Sequence, residues 1–147
     1  MQRVQRSSVI AAAPAELFAY LADLDNLADW QSGVTSARRT SDGPIGVGST
    51  AHLVRQLMGQ RIEAPLTITQ HDPPRRLAIE STVSGIGATA LLELAPANDG
   101  AATSLTFTME IRGSGMTAFM EPMVASAAAG DIQASLERLA TRFLADG

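Results

Sequence analysis

MTAFMEPMVASAAAGDIQASLERLATRFL, residues Met116 to Leu144, reads as a long C-terminal helix. Met116, Phe119, Met120, Met123, Ala127, Ile132, Leu136, Leu139 and Phe143 recur mostly at three- and four-residue steps, the spacing that puts side chains on one face. Such a stripe needs a broad apolar partner. The only one on offer is the strand-like sequence from residue 34 to residue 112, so the expected architecture is α+β, a curved antiparallel sheet gripping one long helix. Solid core or a cavity then lies between the two, and function turns on which.

Working outward, residues 34 to 112 are punctuated at short intervals by turn residues: Asp42-Gly43-Pro44, Gly59-Gln60, Asp72-Pro73-Pro74, Gly85 with Gly87, and Pro96 to Gly100. Strands joined by such short turns pair antiparallel, because a parallel return needs a crossover of a dozen residues or more. Alternation gives the inward faces. Leu105, Phe107, Met109 and Ile111 oppose Ser104, Thr106, Thr108 and Glu110; Ile62, Ala64, Leu66 and Ile68 oppose Arg61, Glu63, Thr67 and Thr69; Leu77 and Ile79 oppose Ala78 and Glu80. In the strand ending near Met58, Ala51, Leu53, Arg55 and Leu57 form the more apolar set, which turns Arg55 inward; the other register turns Arg55 out and His52 in.

Before the sheet, residues 3 to 10 read as a first strand. Pro14 and Glu16 suit the first turn of a helix from about Ala15 to Ala22. A second short helix, Asn26 to Trp30, has Asp25 placed to cap it. Two short helices thus follow the first strand.

The chain has 147 residues, a size suited to one domain. A net charge of −4 and isolated pairs of basic residues, Arg38-Arg39 and Arg75-Arg76, exclude a nucleic-acid backbone as partner. With no cysteine, disulfides, thiolate metal sites and cysteine nucleophiles are out. Two histidines without metal-ligand spacing argue against a metal, and Gly46-Val47-Gly48 lacks the rest of a nucleotide loop, so no cofactor is expected. The apolar run Val9 to Ala13 stops at Pro14, too short for a signal-peptide core or a membrane span; a cytoplasmic protein, monomer or homodimer, is expected.

The run from Val9 to Asp23, followed by Asn26-Leu27-Ala28-Asp29-Trp30, resembles the START/Bet v 1-like superfamily, in particular its bacterial polyketide cyclase/dehydrase branch. Gly46-Val47-Gly48, Asp72-Pro73-Pro74-Arg75-Arg76-Leu77 and Glu121-Pro122-Met123 agree in order along nearly the whole chain. The resemblance implies a helix-grip fold whose cavity binds hydrophobic small molecules. It implies no catalytic triad, since the branch spans carriers and cyclases.

Candidate ligand-binding residues follow. Met109, Met116, Met120 and Met123 offer flexible, polarizable walls or else fill core, and the small residues Ala127 to Gly130 leave room beside the sheet. Pro122 would kink the helix and shape a mouth, or lies near its start. Trp30 is a wall or a packing anchor, and Tyr20 offers a phenol to a ligand carbonyl or to a backbone partner. Leu57, Ile79 and Phe107 on inward strand faces and Phe119 on the helical stripe complete the lining. An inward Arg55 requires a protein carboxylate, water, or an acidic or carbonyl-bearing ligand. For catalysis, Arg55 is placed to polarise a carbonyl, with His52, Tyr20 or Glu63 to move a proton, although periodicity turns Glu63 and Glu80 outward. His71, Asp131 and Glu137 read as solvated. Three functions remain: binding of a small apolar or polyketide-like ligand, cyclase/dehydrase-type catalysis in the same cavity, or a lipid carrier or assembly factor marked by an exposed apolar patch.

Overall fold

In a computed structural model, residues 2–57, 59–83, 86–113 and 121–144 are described. Seven strands form one antiparallel sheet: β1 (Gln2–Ile10), β2 (Val34–Arg39), β3 (Thr50–Leu57), β4 (Gln60–Asp72), β5 (Arg76–Val83), β6 (Ile86–Ala97) and β7 (Ala102–Gly113). Their spatial order is β1-β7-β6-β5-β4-β3-β2. From β2 to β7 this is a meander, as the closely spaced turn signals dictate. The exception is β1, which pairs with β7 at the far edge, so the chain between β1 and β2 has to travel across the width of the sheet. That connection carries α1 (Pro14–Ala22), a single 3-10 turn (Leu24–Asn26) and α2 (Leu27–Trp30).

Capping at this connection differs from expectation. Asp23, not Asp25, caps the turn, its Oδ1 accepting from the Asp25 amide at 3.1 Å. Asp25 instead accepts from the Arg39 amide at 2.8 Å and so ties the connection to β2. A short acidic run contains several possible caps, and the choice among them is made by which carboxylate a neighbouring strand can use.

The long helix α3 (Glu121–Leu144) lies across the concave side of the sheet, its backbone nearest β1 and β7. Its buried positions are Val124, Ala125, Ala128, Ile132, Ser135, Leu136, Leu139 and Phe143. From Ile132 onward these match the expected stripe. Before it the phase differs: Val124 and Ala128 face in, whereas Met123 is 55% exposed. Pro122 is exposed in the first described turn of α3, and whether it kinks the helix or lies near its start turns on the chain before Glu121, which lies outside the described residues.

The core is one apolar cluster, solid under α1 and hollow toward its other end. Beneath α1, Leu17, Leu21, Leu24, Leu77, Leu105 and Leu139 are fully buried and interlocked. Toward the other end α3 and the sheet diverge around a hollow. Truncating a side chain in the packed half removes transfer energy and leaves a void: Leu139→Ala is expected to lower unfolding free energy by about 2–5 kcal/mol. Met123→Ala should cost under about 0.5 kcal/mol, since an exposed side chain leaves no cavity. The comparison is read from urea-denaturation midpoints.

Candidate ligand-binding site

The hollow is a cavity of about 420 Å³ between α3 and strands β3 to β7. Its existence follows from residue size. In the sheet register, Ala90 lies opposite Met109, Ala88 opposite Ile111, and Ala64 opposite Leu53. Ala128 faces them from α3. Four methyl groups stand where larger side chains would close the gap, while Leu27, Leu66 and Leu92 supply apolar wall.

One side of the cavity is polar. Arg55 on β3 points inward, next to Ile62 in the register, and its Nη2 donates to Asp131 Oδ2 on α3 at 3.1 Å. Both side chains are mostly buried, 19% and 29% exposed. Ser135 Oγ donates to the Asp131 carbonyl at 2.6 Å and accepts from the Ser32 amide at 2.8 Å, which locks the α2–β2 loop onto the helix beside the ion pair. Gly33, in that loop, has φ +90°; a Cβ there would lie 3.2 Å from Arg55 Nη2 and 3.3 Å from Asp131 Oδ2. Two buried N–H groups, Arg55 Nε and Trp30 Nε1, have no hydrogen-bond partner among the described residues.

Burial pushes the Asp131 carboxyl above the usual aspartate range, an effect only partly opposed by the Arg55 charge. A carboxyl that holds its proton more tightly folded than unfolded weakens the fold as pH rises from the unfolded value through the folded one. Wild type minus Asp131→Asn, compared by urea denaturation, should therefore show a stability difference that falls as pH is raised from about 4 to about 7.

Of the residues singled out in the sequence, Trp30, Arg55, Ile79, Phe107 and Met109 lie in the cavity wall. Trp30 combines both expected roles, lining the cavity and packing edge-on against Phe107 with ring centroids 6.1 Å apart. Tyr20 is elsewhere. It packs edge-on against Phe143 at 5.5 Å beneath the Arg142 guanidinium, anchoring the C-terminal end of α3 to α1, and burial raises its phenol pKa. Met123 points to solvent, so it is no part of the described wall. Met116, Phe119 and Met120 lie outside the described residues, as does the side chain of Leu57.

His52 faces outward with Glu63, 3.4 Å from its carboxylate, which settles the β3 register in favour of Arg55. The expected proton carriers His52, Glu63 and Tyr20 are thus all away from the cavity. His71 is half-buried against Phe18, centroids 5.4 Å apart, rather than solvated. Asp131, read as part of a solvated face, is the one acidic group in the described cavity wall. Its placement was available in the spacing: Val124, Ala128, Asp131 and Ser135 recur at four, three and four residues and share one helical face. The large exposed apolar side chains among the described residues, Val9, Val47 and Met123, sit on β1, the β2–β3 loop and α3. No described helix is long and apolar enough to cross a membrane.

The geometry agrees with the comparisons. Solved structures that share the fold include the following three. TTHA0849 from Thermus thermophilus is 17% identical with a TM-score of 0.79, covering 99% of each chain. The Zhui aromatase/cyclase from Streptomyces sp. R1128 is 16% identical with a TM-score of 0.79, covering 96% of this chain and 92% of that one. A START superfamily protein from Mycobacterium smegmatis is 13% identical with a TM-score of 0.78, covering 99% of each. No curated protein matches in sequence. The family described as polyketide cyclase / dehydrase and lipid transport matches residues 1–144, and the chain belongs to it.

Proposed function

We propose that the protein binds a small, largely apolar ligand with a polyketide-like oxygen function in the cavity between the sheet and α3. The observation that carries this reading is an unfilled, mostly apolar volume whose polar side carries the Arg55 guanidinium and the Trp30 indole. A wall that is apolar apart from a few N–H groups suits an apolar ligand carrying a carbonyl or hydroxyl oxygen. Cytoplasmic location belongs to the same proposal.

Native mass spectrometry of the purified protein tests it first, through a co-purifying apolar metabolite. Titration with N-phenylnaphthylamine, a neutral fluorophore without a carbonyl, and with prodan, a naphthalene carrying a ketone, tests the anchor. Arg55→Met should weaken prodan about tenfold and N-phenylnaphthylamine hardly at all. Equal losses for both would remove Arg55 as an oxygen contact; no binding of either, with no co-purifying ligand, would end the reading.

A second reading, cyclase/dehydrase-type catalysis, is favoured by one feature. The Asp131 carboxylate, with its raised pKa, sits beside a guanidinium able to polarise a carbonyl. In an aldol closure Asp131 would take the proton from carbon between two carbonyls, the new carbon–carbon bond would form at the carbonyl held by Arg55, and the resulting alkoxide would take the proton back. Turnover of a poly-β-keto thioester, abolished in Asp131→Asn, is the expected result; unchanged turnover in that variant would exclude the role.

A further inference from the structure

We propose that Asp131 is a charge filter: by holding Arg55 in an ion pair it makes the cavity accept apolar molecules ending in a neutral carbonyl or hydroxyl and reject those ending in a carboxylate or sulfonate. The inference rests on the binding reading above and adds which ligands that site refuses.

A lone inward arginine would be a ready receptor for a fatty-acid carboxylate. Here that positive charge is already matched. Arg55 Nη2 is committed to Asp131 Oδ2 at 3.1 Å, and among the described residues Arg55 is the only basic side chain in the cavity wall. An incoming anion has two options. It displaces Asp131, stranding a half-buried carboxylate, or it sits beside Asp131 as a like charge in a poorly solvated space; either is unfavourable. A neutral oxygen meets neither penalty. It needs one N–H, and the Arg55 guanidinium and Trp30 indole stand in the cavity wall.

The filter is also held in place. Ser135 Oγ binds the Asp131 backbone carbonyl and the Ser32 amide, and the bare Cα of Gly33 packs against both members of the pair, so Asp131 has little room to swing away. The charged groups acting on Asp131 are Arg55 from β3 and Arg138 further along α3; the 31–33 loop adds the Ser32 hydrogen bond and no charge. Burial lifts the Asp131 pKa, so acid neutralises the filter at a higher pH than it would neutralise an unburied aspartate.

The test uses a matched pair, N-phenylnaphthylamine and its sulfonate, anilinonaphthalene sulfonate, which stays ionised throughout the range studied. At about pH 7 the wild-type protein should bind the neutral probe at least about tenfold more tightly. Asp131→Asn should raise the affinity for the sulfonate relative to that for the neutral probe about tenfold. Lowering the pH of wild type until the Asp131 carboxyl takes up its proton should produce a gain in sulfonate affinity that Asp131→Asn lacks, with near-ultraviolet circular dichroism confirming an intact fold. The pH arm needs no variant and stands if Asp131→Asn fails to fold. Equal affinity for the two probes in wild type at neutral pH, or a ratio that neither the substitution nor acid changes, would overturn the filter and leave the binding site standing. Absence of binding by both probes would overturn the binding reading, and the filter with it.

Discussion

Ala128→Phe is expected to weaken binding of N-phenylnaphthylamine about a hundredfold while leaving the melting temperature within a few degrees of wild type. Ala128 is 8% exposed and projects from α3 into the cavity, flanked on the same face by Val124 and Ile132. A phenyl ring added there has somewhere to go, because Ala128 opens on an unfilled volume of about 420 Å³ whose wall includes Ala64, Ala88 and Ala90. Ring and ligand then compete for one space. Filling a void gains apolar burial, which offsets the strain that usually accompanies a larger core side chain. Fluorescence titration and a thermal melt on the same sample separate the outcomes. Lost binding with a retained transition places the ligand in the cavity, whereas retained binding places it elsewhere on the molecule.

Gly33→Ala should be the most damaging loop substitution, lowering unfolding free energy by about 2–4 kcal/mol. Two independent penalties meet at this residue. Its φ of +90° is unfavourable for any L side chain, and the new methyl would press on Arg55 Nη2, Asp131 Oδ2 and the Gln56 carbonyl oxygen at 3.2–3.3 Å. Gly48 supplies the control: φ is +93° but nothing lies within 4 Å of an added methyl, so Gly48→Ala carries the backbone penalty alone, about 1–2 kcal/mol. The difference between the two, from urea denaturation, measures crowding against the ion pair. Equal losses would mean that the pair yields freely to the intruding carbon.

Much of the fold is legible in the sequence because β-strand alternation is a local signal. Leu105, Phe107, Met109 and Ile111 declare their face without reference to any other strand, and all four are buried. The helix is legible where its composition has contrast. From Ile132 to Phe143 large apolar residues alternate with Gln133, Glu137 and Arg138, and the buried face follows. Upstream, the alanine-rich run from Ala125 to Ala129 fits several helical phases almost equally, so Met123 and Val124 are hard to tell apart by pattern alone. The structure decides for Val124.

Asp131 was the harder residue. A lone acid on a helix is usually solvated, and its partner Arg55 is 76 positions away in the chain. Either residue alone looks ambiguous. Their charges explain each other only when the inward register of β3 and the 124-128-131-135 face of the helix are considered together. Tyr20 shows the reverse error: a phenol near the start of the chain looks available to a ligand, yet Phe143 and Arg142 claim it, a contact set by where α3 ends rather than by anything local to α1.

The division of the interior has a bearing on how such a protein changes over generations. Residues under α1 that hold the molecule together are not the ones that meet a guest, so drift in the lining need not endanger the scaffold. One chassis can then be re-upholstered for successive cargoes by exchanging alanines for larger or smaller neighbours, as long as the leucines beneath the first helix are left alone.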